Sequence, residues 1–169
     1  MLNPDESAQI QAMARDVIDT NRYMTVGTTE PDGLPRLSPV YYTHDKYHDF
    51  YWVSAAGAQH SKNLLRQPTI AVLIFDSSVD PGSTRAVYIN ATAQQIPEPE
   101  LEDACGIAFR TLGPGARAFE PSELMSPAPL RLYRATAGEY AVHIRGSDPR
   151  YGNGVDRRLP TTLPADSNV

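Results

Sequence analysis

The stretch YMTVGTTEPDGLPRLSPVYYTHDKYHDFYWVS, residues 23–54, decides how the rest of the chain is read. Its opening, Tyr23–Thr29, is rich in aromatic and β-branched side chains, which suit a pleated, half-buried surface. Glu30-Pro31-Asp32-Gly33 follows, where proline presets φ and glycine supplies a positive φ, so the strand runs into a tight turn. Leu34–Thr43 is the returning strand and Asp49–Ser54 the next, with His44-Asp45-Lys46-Tyr47-His48 as a polar connection between them.

The flanks extend this meander. Upstream, Asn3-Pro4-Asp5-Glu6 reads as a helix start, with Ile10, Met13, Val17 and Ile18 on one face. Downstream, Gln59–Gln67 is a short helix stopped by Pro68, and Thr69–Asp76 and Arg85–Ile96 are further strands. Pro97 and Pro99 end the last of these, and Glu100–Leu112 is helical with Leu101, Cys105, Ala108 and Leu112 on a stripe. Leu130–Ala135 and Glu139–Arg145 read as a closing hairpin around Thr136-Ala137-Gly138. About seven strands with a few short helices form one unit over 1–145, and an antiparallel meander of this kind closes into a barrel to remove its edges. Residues 146–169 form a C-terminal arm rich in Gly, Pro and charge, expected to be partly disordered.

A chain of 169 residues fits one domain. With 15 basic against 20 acidic residues its formal charge is −5, the wrong sign for a broad phosphate-backbone interface, so no nucleic-acid partner is expected. The apolar run Ile70–Phe75 falls far short of the roughly 20 residues that cross a bilayer, and no membrane association is expected. The polar, acidic start MLNPDESAQ lacks the pattern of a secretory signal, which makes the cytoplasm the expected location. The single cysteine, Cys105, excludes an internal disulfide and sits where the helical stripe needs a packing residue.

No glycine-rich nucleotide loop, nucleophile elbow or His-Glu-x-x-His motif is present. His44 and His48 have helical metal-ligand spacing, but their context reads as a loop, so no metal site is expected. More informative is Gln59-His60-Ser61-Lys62-Asn63-Leu64, where free helix-start N–H groups, a hydroxyl and an ammonium suit an anion such as phosphate. The same pattern also fits a helix capped by Ser61 with Lys62 in solvent. Arg36, Ser38 and Val40 share one face of their strand, which brings a guanidinium beside the sheet. Pro39 costs that strand a ladder bond, consistent with a bordering ligand or with an ordinary edge strand. Ser54 precedes Ala55-Ala56-Gly57-Ala58, whose small residues allow close backbone approach or serve as a flexible connector.

In order and spacing, Tyr23–Thr29, Asp32–Val40, Phe50–Ser54 and Ser61–Val72 resemble the pyridoxamine 5′-phosphate oxidase-like flavin-binding split-barrel family. The resemblance covers about residues 8–96 well and the remainder loosely. It implies a mainly β (α+β) fold: a six- to seven-stranded antiparallel split β-barrel with a few short flanking helices. It also implies a homodimer holding flavin mononucleotide (FMN) at the subunit interface. By resemblance, Arg36 and Lys62 are the phosphate cations, with Ser61 and Ser54 as hydroxyl partners. The backbone of Leu37, Ser38, Pro39, Val40 and Tyr41, together with Val53, borders the ring and ribityl groups.

Two departures point away from oxidation of pyridoxamine phosphate itself: Tyr41 stands where the oxidase has lysine, and Ala86 where a glutamine touches the flavin. The expected activity is therefore hydride transfer through FMN to or from an unidentified small molecule. A deazaflavin-dependent reductase and a non-catalytic flavin- or haem-binding module are the alternatives. Tyr41, His44 and His60 are candidate proton donors, each equally readable as structural. Basic residues between Asp148 and Arg158 either reach the partner's flavin or lie in solvent as a tail.

Overall fold

The computed structural model describes residues 2–164. Helix α1, Pro4–Thr20, begins as its sequence demands: Asn3 Oδ1 accepts the Glu6 N–H and the Glu6 carboxylate accepts the Asn3 N–H, both at 2.9 Å. This reciprocal pair satisfies donors that the first turn leaves open. No helix among the described residues is long and apolar enough to cross a membrane.

Strands β1 (Tyr23–Thr29), β2 (Pro35–Tyr41), β3 (Thr43–Asp45) and β4 (Asp49–Ala55) follow, then helix α2 (Gln59–Arg66). Next come β5 (Thr69–Phe75), β6 (Ala86–Gln95), helix α3 (Leu101–Ala108), β7 (Leu130–Ile144) and β8 (Arg157–Thr161). They form one antiparallel sheet in the order β2-β1-β5-β6-β7-β4-β3, with β8 also on β7. The sheet curls until β2 approaches β4, yet the two share no ladder, and this gap is the split in the barrel. The mainly β, split-barrel expectation holds, with eight strands in the sheet.

The β1–β2 turn is the one the sequence specifies, with Gly33 at φ 88°. Gly27 marks a close approach: a Cβ there would stand 3.2 Å from the Ala71 carbonyl oxygen on β5 and 3.5 Å from Leu37. A larger residue would push β1 off β5.

Four local expectations change. The hairpin around Thr136-Ala137-Gly138 is instead the middle of one 15-residue strand, β7. Asn90 pairs with Glu139 and Ala91 with Ala137, so Gly138 is the extra residue of a β-bulge. Small residues that read as a turn here let a long strand bend around the barrel. The connection after β2 contains β3, and its turn places Lys46 and Tyr47 at positive φ. Helix α3 stops at Ala108 rather than Leu112, as Phe109 turns out to pack on Phe119. The arm is not a solvated tail either: β8 pairs with β7 from Tyr140↔Thr161 to Ile144↔Arg157. Its arginines are engaged within the chain, Arg157 donating to the Tyr151 carbonyl and Arg158 lying over the Tyr88 ring. The disorder expected within the arm falls partly on residues 165–169, outside the described residues.

Two cores result. The larger fills the barrel beneath α1, with Ile10, Val17 and Ile18 packed among Val26, Ile74, Val87 and Val142. The smaller lies on the opposite face of β4 and β7, where Leu101, Cys105 and Ala108 of α3 meet Tyr51 and Leu132. Cys105 is a packing residue, as its stripe predicts.

Candidate functional site

Helix α2 starts at the open end of the split without a side-chain cap, because its N-cap is Ala58. Ser61 does not cap it. Lys62 N–H bonds to the Ala58 carbonyl, which leaves the amides of the preceding turn without helical partners. Around that helix start the fold gathers polar groups from three strands.

His60 Nε2 lies 3.0 Å from Ser54 Oγ at the end of β4. Burial holds the His60 imidazole below its ordinary value, and the charge of the Arg36 guanidinium on β2 adds to the effect. Arg36 Nε donates to the Glu30 carboxylate, and its side chain remains half exposed. On the other flank, β-sheet register sets Arg131 of β7 directly opposite Ser54, on the same face of the sheet. Arg131 is half-buried and donates to the Ala128 and Leu130 carbonyls. The Arg36 charge thus acts on the Ser54–His60 pair from β2, while Arg131 lies across the ladder from Ser54 on β7.

Beneath this corner the helix is tied to the barrel by a buried polar chain: Gln59 donates to Asn63 at 2.9 Å and Asn63 to Thr28 Oγ1 at 3.1 Å. Ser61 points inward with it. At 2% exposure its hydroxyl lies near Tyr133, whose phenol burial pushes up while Ser61 and Arg131 pull the other way.

The structure thus sorts the sequence-derived residues. Arg36 and Ser54 come together through His60. Ser61 is on the barrel side of the helix, buried beside Tyr133. Lys62 is exposed and has no hydrogen bond or ion pair among the described residues. Successive helical residues are rotated by about 100°, so the Lys62 side chain leaves α2 about 160° around the helix from His60. Val40 is buried in the core, so only its backbone borders the split, while Leu37, Ser38 and Pro39 lie along the unpaired edge of β2.

Tyr41 and Val53 line a cavity of about 420 Å³ on the α3 side, facing Phe109, Leu112 and Phe119. The Tyr41 hydroxyl accepts the Gly113 N–H at 3.0 Å, pinning the loop after α3. His44 is committed elsewhere, 3.1 Å from Asp19 and stacked on Tyr47. Ala86 is buried opposite Phe75, at the end of β6 remote from α2. Sequence reading did not single out Arg131, and it weighed His60 only as a proton donor. The second had a signal, since His60 is the side chain at the uncapped helix start, whereas nothing local marks Arg131.

Three solved structures share this architecture. A haem-binding protein from Mycobacterium smegmatis aligns over 95% of this chain and 60% of its own, at 16% identity and a TM-score of 0.64. A FAD-binding protein from Mesorhizobium loti aligns over 83% of this chain and 94% of its own, at 17% identity and a TM-score of 0.56. An F420 reductase aligns over 75% of this chain and 94% of its own, at 16% identity and a TM-score of 0.54. This chain therefore spans well under two thirds of the haem-binding protein's length. At such identities the likeness concerns the fold. Comparison with curated proteins gives no significant match. The family model for pyridoxamine 5′-phosphate oxidase matches residues 10–139, from inside α1 to the bulge of β7. That span contains the split, the uncapped helix and both arginines, and by it the chain belongs to the pyridoxamine 5′-phosphate oxidase family.

Proposed function

We propose that the chain binds FMN in the split and serves as a flavin-dependent oxidoreductase acting on a small molecule. The observation that carries this reading is the Ser54–His60 pair at the uncapped α2 start, acted on by the Arg36 charge from the unpaired β2 edge, with Arg131 opposite Ser54 in the β4–β7 register. A phosphate monoester carries about −1.5 to −2 charge and needs fixed donors to replace its water. Guanidinium, hydroxyl, imidazole and free amides supply them here, so the residues fit the group.

From that anchor the edge of β2, Leu37–Tyr41, and Val53 border the ring portion. A bound flavin supplies hydride acceptance or donation. The chain's own part is to bind and orient: Arg36 and Arg131 hold charge, Ser54 and His60 orient donors, and the aromatic wall with Tyr41 keeps water from one side of the split. The outer face of the β1–β2 hairpin exposes Tyr23, Leu34 and Leu37 at 62%, 63% and 71%. A second copy of the chain covering this face would bury them, which supports the dimer.

A deazaflavin with a longer acidic tail is disfavoured, because the opening beyond Arg36 is lined by Glu30 and Asp32. The visible spectrum of purified protein, followed by titration with FMN, tests the reading. A yellow protein, or stoichiometric FMN uptake, is expected. A colourless protein that takes up haem or deazaflavin but not FMN would overturn it.

A further inference from the structure

The side chain at the α2 start is a titratable imidazole, and the geometry around it has a consequence for ligand retention. His60 feels the charge of Arg36 and meets a hydroxyl, its Nε2 3.0 Å from Ser54 Oγ. Among the described residues, the Arg36 charge acts on it from β2 with its Glu30 partner, Asp32 and Glu30 line the neighbouring opening together with Gln59, Arg131 lies across the β4–β7 ladder from Ser54 beside Tyr133, and Lys62 stands two residues further along the same helix. Of these side-chain types only imidazole titrates between about pH 6 and 8.

Without a ligand, the site has reason to keep His60 neutral: it is half-buried and an arginine charge acts on it. A phosphate dianion placed among Arg36, Ser54 and Arg131 reverses that balance, because an imidazolium would then donate to a phosphate oxygen instead of facing a bare guanidinium. We infer that His60 takes up one proton from solvent when a phosphorylated ligand docks at the α2 start, so that retention of such a ligand weakens as pH rises. This inference rests on the reading of the corner as a phosphate site. It assigns to His60, and not to Lys62, the discrimination between a phosphorylated ligand and the same ligand without phosphate.

The proton balance is simple. The ligand enters as a dianion, one proton leaves the buffer for the imidazole, and no bond of the ligand changes. Linkage then requires affinity to fall as pH rises between the free and bound titration points of His60, with a limit of about tenfold per pH unit for one proton. Below about pH 6 the phosphate itself begins to protonate, so the window to examine lies above it.

The experiment is a titration of the full chain with FMN and, separately, with riboflavin, at pH 6.5, 7.5 and 8.5, following quenching of flavin fluorescence. Calorimetry at pH 7.5 in two buffers of different ionisation enthalpy gives the proton uptake directly. The expected result is FMN affinity falling about tenfold or more across the window with proton uptake on binding, and riboflavin affinity flat. In His60→Gln the slope and the uptake disappear, and in His60→Lys FMN binds without a slope. FMN binding with no pH slope and no proton uptake in the unaltered chain overturns the role of His60 while leaving the flavin reading intact. Failure of FMN to bind at every pH overturns both.

Discussion

The two ends of the barrel are built on opposite terms. Beneath α1 the interior is apolar and closed: Ile10, Ile18, Ile74, Val87 and Val142 are essentially inaccessible. The arm seals the same end, with Tyr151 buried and its hydroxyl bonded to Gln9 of α1. At the α2 end the interior holds the buried polar residues Thr28, Ser61 and Asn63, the helix has no side-chain cap and the strand edge is unpaired. Apolar burial at one end stabilises the fold by about 25 cal/mol per Å² removed from water, which lets the other end retain groups placed for a ligand. Substitutions should therefore divide cleanly into those that unfold the chain and those that empty the site.

The largest effect belongs to the closed end. Ile74→Ala leaves a cavity in the core and is expected to lower the unfolding free energy by about 2–5 kcal/mol in a urea titration. FMN affinity of the folded fraction should stay unchanged. A loss of affinity comparable to the loss of stability would mean the two ends are not independent.

At the polar end the order reverses. Arg36→Ala and Arg131→Ala each remove a charged donor worth about 1.5–3 kcal/mol, or roughly 10- to 150-fold in FMN dissociation constant. Riboflavin binding and the urea midpoint should hardly move. If Arg131→Ala leaves FMN affinity intact, the β7 flank is not part of the phosphate site.

Asn63 bridges the two regimes, because its bond to Thr28 ties α2 to β1 while its bond with Gln59 braces the first turn of the helix. Asn63→Ala strands a buried hydroxyl and is expected to cost about 1–3 kcal/mol of stability. FMN affinity should fall as well, since the helix start loses its anchor. Stability alone moving would show that the helix holds its place through Leu64.

A smaller effect appears in the pH dependence of the ligand-free protein. Folding holds His60 below the ordinary 6.5, so the unfolded chain binds the proton more readily. Stability is full above that value and declines as pH falls through it. His60→Gln should flatten this part of the profile between pH 7.5 and 5.5, measured by urea midpoints. An unchanged profile would show that acid loss originates elsewhere.

The smallest expected effect is at Lys62, which faces away from the corner. Lys62→Ala should change FMN affinity by no more than about threefold and stability by no more than about 0.5 kcal/mol. A loss as large as that of Arg36→Ala would return Lys62 to the phosphate site.

Much of the fold was legible in local sequence because its signals are local. The Asn3–Glu6 capping box, the Pro31–Gly33 turn, the strand from Tyr23 to Thr29 and the stripe that buries Cys105 each depend on neighbours within a turn or a pleat. Where the local signal was ambiguous it misled: Thr136-Ala137-Gly138 has turn composition, and only the pairing of β6 on both sides of Gly138 makes it a bulge. The site was half legible. Arg36 and Ser54 could be placed on strand faces by alternation alone. That His60 rather than Lys62 faces them, that Ser61 turns into the barrel, and that Arg131 lies across from Ser54 were decided by how α2 docks and by the β4–β7 register. Residues in one element specify its period, but the rotation of a helix against a sheet and the register of distant strands are set by the burial of the whole chain at once, and no window of sequence contains that information.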